Sequence, residues 1–351
     1  MSAKVPLITV LLPCYNAMPY LREALESIIH QTYTNLEILC INDGSTDETG
    51  KVLEEYAATD KRITVIHNET NIKLIRSLNK GIALASGDYI ARMDSDDISA
   101  PDRIEKELEF MLKNPEVDIV GCTCFIMNDS GAVIAKKTMR QHRALPVLFA
   151  SFFYVPVGHP ELLIKTSVLK ENLYLNEEHV LHTEDYELWT RLLRKGYHLR
   201  NIDTPLHYFR INPNSVSNKF TEIQDNNFVE CASRHWLAVF DRKIESDIMR
   251  VIVNRMDVSV QTNALKLGLK EMRWLKMHFC ENYKTQLQKE DLREIYFIYK
   301  SHIFNMCVQG LKKTKIISKI YILLILIKNS DMFFNRRIWK YIAHKFNYVQ
   351  L

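Results

Sequence analysis

The chain has 351 residues, 47% of them hydrophobic and 25% charged, with ten glycines and ten prolines. That length suits one large domain or a domain with an appendage, and the composition excludes collagen-like, low-complexity and disordered chains. The net charge of +4 is unevenly spread: residues 311–351 hold nine Lys/Arg against Asp331, about +8, which leaves about −4 for residues 1–310.

Seven cysteines, at 14, 40, 122, 124, 231, 280 and 307, form no CxxC pair. An odd, scattered set points to free thiols in a reducing cytoplasm. The opening "MSAKVPLITVLLPCYN" lacks the apolar stretch of a signal peptide. The longest uncharged apolar run, Ile320 to Ile327, falls far short of the ~20 residues of a spanning helix. A cytoplasmic location is therefore the expectation.

The first 125 residues alternate. Runs of strand length at 7–13, 36–43, 62–68, 88–94 and 117–127 are separated by helical periods at 20–31, 45–58, 72–85 and 101–114. In the first helix Leu21, Leu25, Ile28 and Ile29 share a face; the last has Pro101 in its first turn. Strand–helix alternation predicts a mostly parallel sheet with helices on both faces. Residues 128–220 are mixed, with a hairpin strand in "GAVIAKKTM" and a helix over 182–197. From about 221 the pattern is helical, so a boundary is expected near 218: residues 1–218 as one domain and 219–351 as a helical region.

Ligands of such sheets bind beyond the carboxyl ends of the strands. The polar clusters fall there: Pro13-Cys14-Tyr15-Asn16, Asp43-Gly44-Ser45, and Asp94-Ser95-Asp96-Asp97. Like charges packed this closely repel and raise one another's pKa, and a cation relieves them. A D-x-D offers hard oxygens that suit Mg²⁺ or Mn²⁺, with substrate phosphates completing the shell. The same letters also fit a turn whose acids cap the next helix. In "NDGSTD", Gly44 permits a tight turn and Ser45 and Asp47 can cap a helix, which leaves Asn42 and Asp43 unexplained. Tyr15 could stack on a planar base, though a tyrosine after a strand commonly packs.

With these residues in view, "ITVLLPCYNAMPYLREALESIIHQTYTNLEILCINDGSTDETGKVLEEYA" followed by "GDYIARMDSDDISAPDRIEKEL" resembles the family 2 glycosyltransferases, inverting enzymes of the GT-A fold. The resemblance covers about residues 6–215. It implies a Rossmann-like sheet that binds a nucleotide sugar, most often a UDP-sugar, with Mn²⁺ or Mg²⁺. By the same resemblance Pro13, Tyr15 and Asn16 surround the base, and Asp43 holds the uracil or ribose side. Arg92 faces the phosphates or sugar, Asp94 lies at the ribose and sugar with Ser95 beside it in the nucleotide-sugar site, and Asp96 is the main metal ligand. Glu37 matches no chemistry.

"HTEDYELWTRLLRKG" resembles the family's E-D segment, which makes Asp185 the general base and Glu184 its neighbour; both also suit a helix N-terminus. In "VGHPELLIKTSVL", His159 is a candidate acceptor contact. "LHYFRINPNSVSN" resembles a Y-R-x-H-x-x-S-x-S end piece: Tyr208, Arg210, Ser215 and Ser217 match, and Asn212 stands where His is common. Arg210 then neutralises the departing diphosphate from the acceptor side.

The tail "KKTKIISKIYILLILIKNSDMFFNRRIWKYIAHKF" mixes basic and apolar residues. It suits either an interfacial helix on the anionic inner face of a cell membrane or a helical cap with solvated lysines. The expected partners are a nucleotide sugar and a glycan or lipid-linked acceptor, with no nucleic acid. The competing expectation is a non-catalytic nucleotide-sugar binder on the same fold. A D-x-D phosphohydrolase needs a nucleophilic Asp after the first strand, where this chain has Pro13-Cys14-Tyr15.

Overall fold

A computed structural model describes residues 5–137, 143–212, 220–255 and 262–313. The chain divides into two compact units: Met1–Ala144 with Val155–Gln224, and Leu145–Tyr154 with Asp225–Leu351.

The first unit is built on a sheet of nine strands among the described residues, in the order β3-β2-β1-β4-β8-β6-β9-β5, with β7 paired to β6. The strands are β1 (Ile8–Cys14), β2 (Leu36–Asn42), β3 (Ile63–His67), β4 (Tyr89–Arg92), β5 (Ile98–Ser99), β6 (Ile119–Met127), β7 (Val133–Lys137), β8 (Leu162–Lys165) and β9 (Leu199–Arg210). Every residue of β1 is buried, as expected of a strand covered on both faces. The intervening helices are α1 (Leu21–Ile29), α2 (Thr49–Thr59), α3 (Leu74–Leu84) and α4 (Arg103–Lys113). Helix α1 turns Leu21, Ala24, Leu25 and Ile28 inward, the spacing of one helical face. They pack with Ile8, Val10, Leu12, Ile38 and Cys40 of the sheet in one cluster.

The half made of β3, β2, β1 and β4 is parallel, as the alternation predicts. The other half is mixed. β8 runs antiparallel to both β4 and β6, and β6 pairs parallel with β9. The expected fifth parallel strand, 117–127, is β6, and β8 separates it from β4. The four-residue β8 is too short to announce itself by periodicity, so the sequence gives no hint of it.

The predicted helix over 182–197 is α7 (Glu184–Arg194); α5 (Ala144–Ala150) and α6 (Thr166–Glu171) precede it. The helical region comprises α8 (Thr221–Phe240), α9 (Ser246–Ile252), α10 (Thr262–Asn282) and α11 (Lys289–Lys313). Within the second unit the core is aromatic. His235 stacks on Phe152 at 4.3 Å, and Trp236 donates its indole N–H to the Phe152 carbonyl at 2.9 Å. The Leu145–Tyr154 segment thus packs with the later helices, although it lies inside the 1–218 domain expected from sequence. No described helix is long and apolar enough to cross a membrane. The tail from residue 314 lies outside the described residues, as do Ser215 and Ser217.

Candidate active site

The parallel register brings three strand ends to one rim. Cys14 is level with Asn42 and Leu11 with Arg92, so the residues that follow β1, β2 and β4 emerge side by side. The Asp43 N–H donates to the Cys14 carbonyl at 2.8 Å, and the Met93 N–H to that of Leu11 at 3.2 Å.

After β4, Asp94, Asp96 and Asp97 each offer a carboxylate oxygen within 4.8 Å of the others. Arg92, 4% exposed, pairs with Asp94, and its Nε has no hydrogen-bond partner. Burial works against the Arg92 charge, and Asp94 more than offsets it. Burial and then the charges of Asp94 and Asp97 push Asp96 up to about 7. Asp97 is also raised, by burial first and Asp94 second. Three clustered carboxylates, with Arg92 paired to Asp94, form a donor set that fits a hard dication.

The charges of Asp94 and Arg92 also reach the N-terminus of α7. Glu184 and Asp185 open that helix, where the helix dipole favours carboxylates. Burial and then Asp185 push Glu184 up to about 7. Asp185 is raised by burial, against the N–H of Tyr186 and the charges of Arg92 and Lys137. The Tyr186 N–H reaches Asp185 Oδ1 at 2.7 Å. Arg92 therefore acts electrostatically on both the acidic cluster and the α7 pair.

The remaining predicted residues divide. Tyr15 is 49% exposed, a ring free to meet a planar ligand. Pro13 is a buried β1 residue paired with Ile41. Asn16, at φ 47°, binds the neighbouring loop: its Oδ1 accepts from the Thr46 N–H at 2.8 Å, and its own N–H donates to Ser45 Oγ at 3.0 Å. Ser95 is half-buried between the aspartates. Asp43 is 4% exposed, and three donors occupy its carboxylate: Asn68 Nδ2 at 2.9 Å, Ile72 N–H at 2.8 Å and Lys73 N–H at 2.9 Å. Gly44, at φ +67°, completes this socket, because a Cβ there would lie 2.6 Å from the Thr70 carbonyl carbon.

His159 bonds the Tyr174 hydroxyl through Nε2 at 2.8 Å. Burial and then Arg92 hold it well below its ordinary pKa, so it is neutral. Arg210 is 2% exposed and committed to protein partners. Nε donates to the Asp96 carbonyl at 2.8 Å, Nη1 to that of Asp129 at 3.0 Å and Nη2 to Glu23 at 2.5 Å, with the guanidinium 4.6 Å over the Tyr20 ring. It clamps the acidic loop from behind.

Several contributors escape the linear reading. Asn212, where the motif has His, hydrogen-bonds the Asp96 carboxylate. Lys137 ion-pairs with the buried Glu161 at 3.5 Å and brings positive charge toward Asp185. Glu37 accepts from the Thr9 hydroxyl and, at 2.9 Å, from the Ser86 N–H, which anchors the turn that leads into β4.

Known proteins are similar to this chain. The model of glycosyl transferase family 2 matches residues 9–157, and that of glycosyl transferase family group 2 matches residues 89–236. A glycosyltransferase of Haemophilus influenzae is 35% identical over 250 residues, 69% of this chain and 77% of its own length. The Escherichia coli O-antigen biosynthesis glycosyltransferase WbnJ is 31% identical over 231 residues, 65% of this chain and 86% of its own. Among solved structures, S. aureus TarS in complex with UDP-GlcNAc superposes with a TM-score of 0.56 at 16% identity, covering 87% of this chain and 91% of that one. A mannosyltransferase of Pyrobaculum calidifontis, in complex with GDP-Man and Mn²⁺, does so with a TM-score of 0.50 at 15% identity, covering 99% and 86%. Rim, motifs and relatives agree that this chain belongs to glycosyltransferase family 2.

Proposed function

We propose that this glycosyltransferase moves a sugar from a UDP-sugar to a hydroxyl of a glycan or lipid-linked acceptor, with inversion and with Mn²⁺ or Mg²⁺, in the assembly of a cell-surface polysaccharide. The carrying observation is the acidic cluster at 94–97 and the Glu184–Asp185 pair within reach of one buried Arg92, whose charge acts on both. The relatives' names, O-antigen biosynthesis and teichuronic acid biosynthesis, support the polysaccharide role. The UDP-GlcNAc held by the TarS neighbour supports the donor, and the Mn²⁺ of the mannosyltransferase supports the metal.

Asp96 and Asp94 would hold the dication, with Asn212 orienting Asp96. A dication there would offset the charge that builds on the leaving diphosphate. The exposed ring of Tyr15 stacks on the base, framed by Pro13, Asn16 and the loop that Asp43 secures. Asp185 takes the acceptor's hydroxyl proton; its raised pKa makes it a stronger base than an ordinary carboxylate. The acceptor oxygen then bonds to the anomeric carbon, and the carbon–phosphate-oxygen bond breaks with its electron pair leaving on UDP. Arg92 would stabilise that departing charge, and Glu184 would tune its neighbour. His159, neutral and tied to Tyr174, shapes the acceptor side, while Arg210 acts through the acidic loop it clamps. Residues 1–218, apart from Leu145–Tyr154, form the catalytic domain in this reading, and the basic tail from residue 311 carries peripheral membrane contact.

The test is a panel of nucleotide sugars assayed for released UDP with and without Mn²⁺, on the wild type and on Asp96→Ala. Metal-dependent release that Asp96→Ala abolishes is expected. Release that is indifferent to Mn²⁺ and to the substitution would overturn the metal assignment, and no turnover with any donor would leave the non-catalytic binder.

A further inference from the structure

We propose that His207 is a positioning residue for the acidic loop: its Nε2–H holds Asp97 in place, and Arg103 fixes which ring nitrogen carries the proton. The proposal rests on the metal reading above. His207 lies on β9 and Asp97 110 residues earlier, and they meet at 2.8 Å between Nε2 and Oδ2, 0% and 1% exposed. The other Asp97 oxygen accepts the Arg210 backbone N–H at 2.8 Å. Both oxygens of the one fully buried aspartate in the cluster are thereby aimed by β9.

The tautomer follows from the other side of the ring. Arg103 Nη1 stands 3.4 Å from His207 Nδ1, and a guanidinium has donors only. Nδ1 must accept, so the proton sits on Nε2 and is donated to Asp97. Arg103 is itself immobilised: Nε donates to both Glu107 oxygens at 3.3 Å, and Nη2 donates to the carbonyls of Arg92 at 3.0 Å and Leu162 at 3.1 Å. One guanidinium thus grips the main chain just before the aspartates and sets the imidazole behind them. Buried ionic networks of this kind add little net stability compared with apolar packing. Side chains that hold the surroundings of metal-binding carboxylates, as His207 does through Asp97 for the loop that carries Asp94 and Asp96, typically change metal affinity about 10–100-fold when lost.

The experiment titrates Mn²⁺ into protein saturated with UDP and follows the electron-spin-resonance signal of free Mn²⁺. His207→Asn keeps a polar group toward Arg103 but withdraws from Asp97; His207→Gln reaches far enough to keep the Asp97 bond. Expected is an Mn²⁺ dissociation constant raised about 10–100-fold in His207→Asn and near wild type in His207→Gln. Wild-type affinity in folded His207→Asn would overturn the proposal alone. Should His207→Asn fail to fold, His207→Gln carries the test, and weakened Mn²⁺ binding there overturns it. Absence of Mn²⁺ uptake by the wild type would overturn the metal reading, and this proposal with it.

Discussion

Asp43→Asn tests whether the residue after β2 is a socket for the 68–73 segment. The carboxylate accepts three hydrogen bonds, two from backbone N–H groups that have to be satisfied. An asparagine can keep its oxygen on Asn68 and Ile72, but it then presents an NH₂ to the Lys73 N–H. One charge-assisted bond is lost, worth about 1.5–3 kcal/mol, and the other two lose the benefit of a full charge. The sum is about 2–4 kcal/mol, which for a unit of this size lowers the melting temperature by roughly 5–15 °C. Calorimetry reads the shift, and amide hydrogen exchange should show Ile72 and Lys73 losing protection while the β1 amides stay protected. A melting temperature equal to wild type, with both amides still protected, would refute the socket.

Lys73 sits at φ 76°, ψ 159°, a region nearly reserved for glycine, with its side chain exposed. Lys73→Gly should therefore stabilise the protein by about 1 kcal/mol in denaturant titration, the ~1–3 kcal/mol of strain less the entropy cost of glycine, and Lys73→Ala should not. Asp185→Asn should keep UDP-sugar affinity while lowering kcat about 10²–10⁴-fold. The acid limb of the wild-type pH–rate profile should lie above the ordinary carboxylate range, with activity rising with pH, because a base works deprotonated and Asp185 is raised. In Asp185→Asn the Glu184 pKa, followed by carbon-13 NMR, should fall from about 7, because one charge that raises it is gone.

Much of the site was legible because its chemistry is local. D-x-D, N-D-G and E-D each lie within a few residues, and each follows a strand or opens a helix whose period the chain displays. Other residues meet partners that lie far off in the chain: the Asp43 carboxylate accepts from residues 68–73, and Arg210 donates to the Asp96 and Asp129 carbonyls and to Glu23. Glu37, without a role in the sequence, anchors the turn before β4.

Burial is written along the chain, because a strand or helix repeats its inward positions every few residues whatever it packs against. The alternation alone therefore marked the parallel half of the sheet and the rim where its polar strand ends gather. Which buried polar atom answers which is a property of segments far apart in sequence. Asp97 meets His207 and Arg210 across 110 and 113 residues, and the short antiparallel β8 inserts between β4 and β6. No periodicity encodes such pairings, since a buried donor needs only some acceptor, and packing of the whole sheet chooses it.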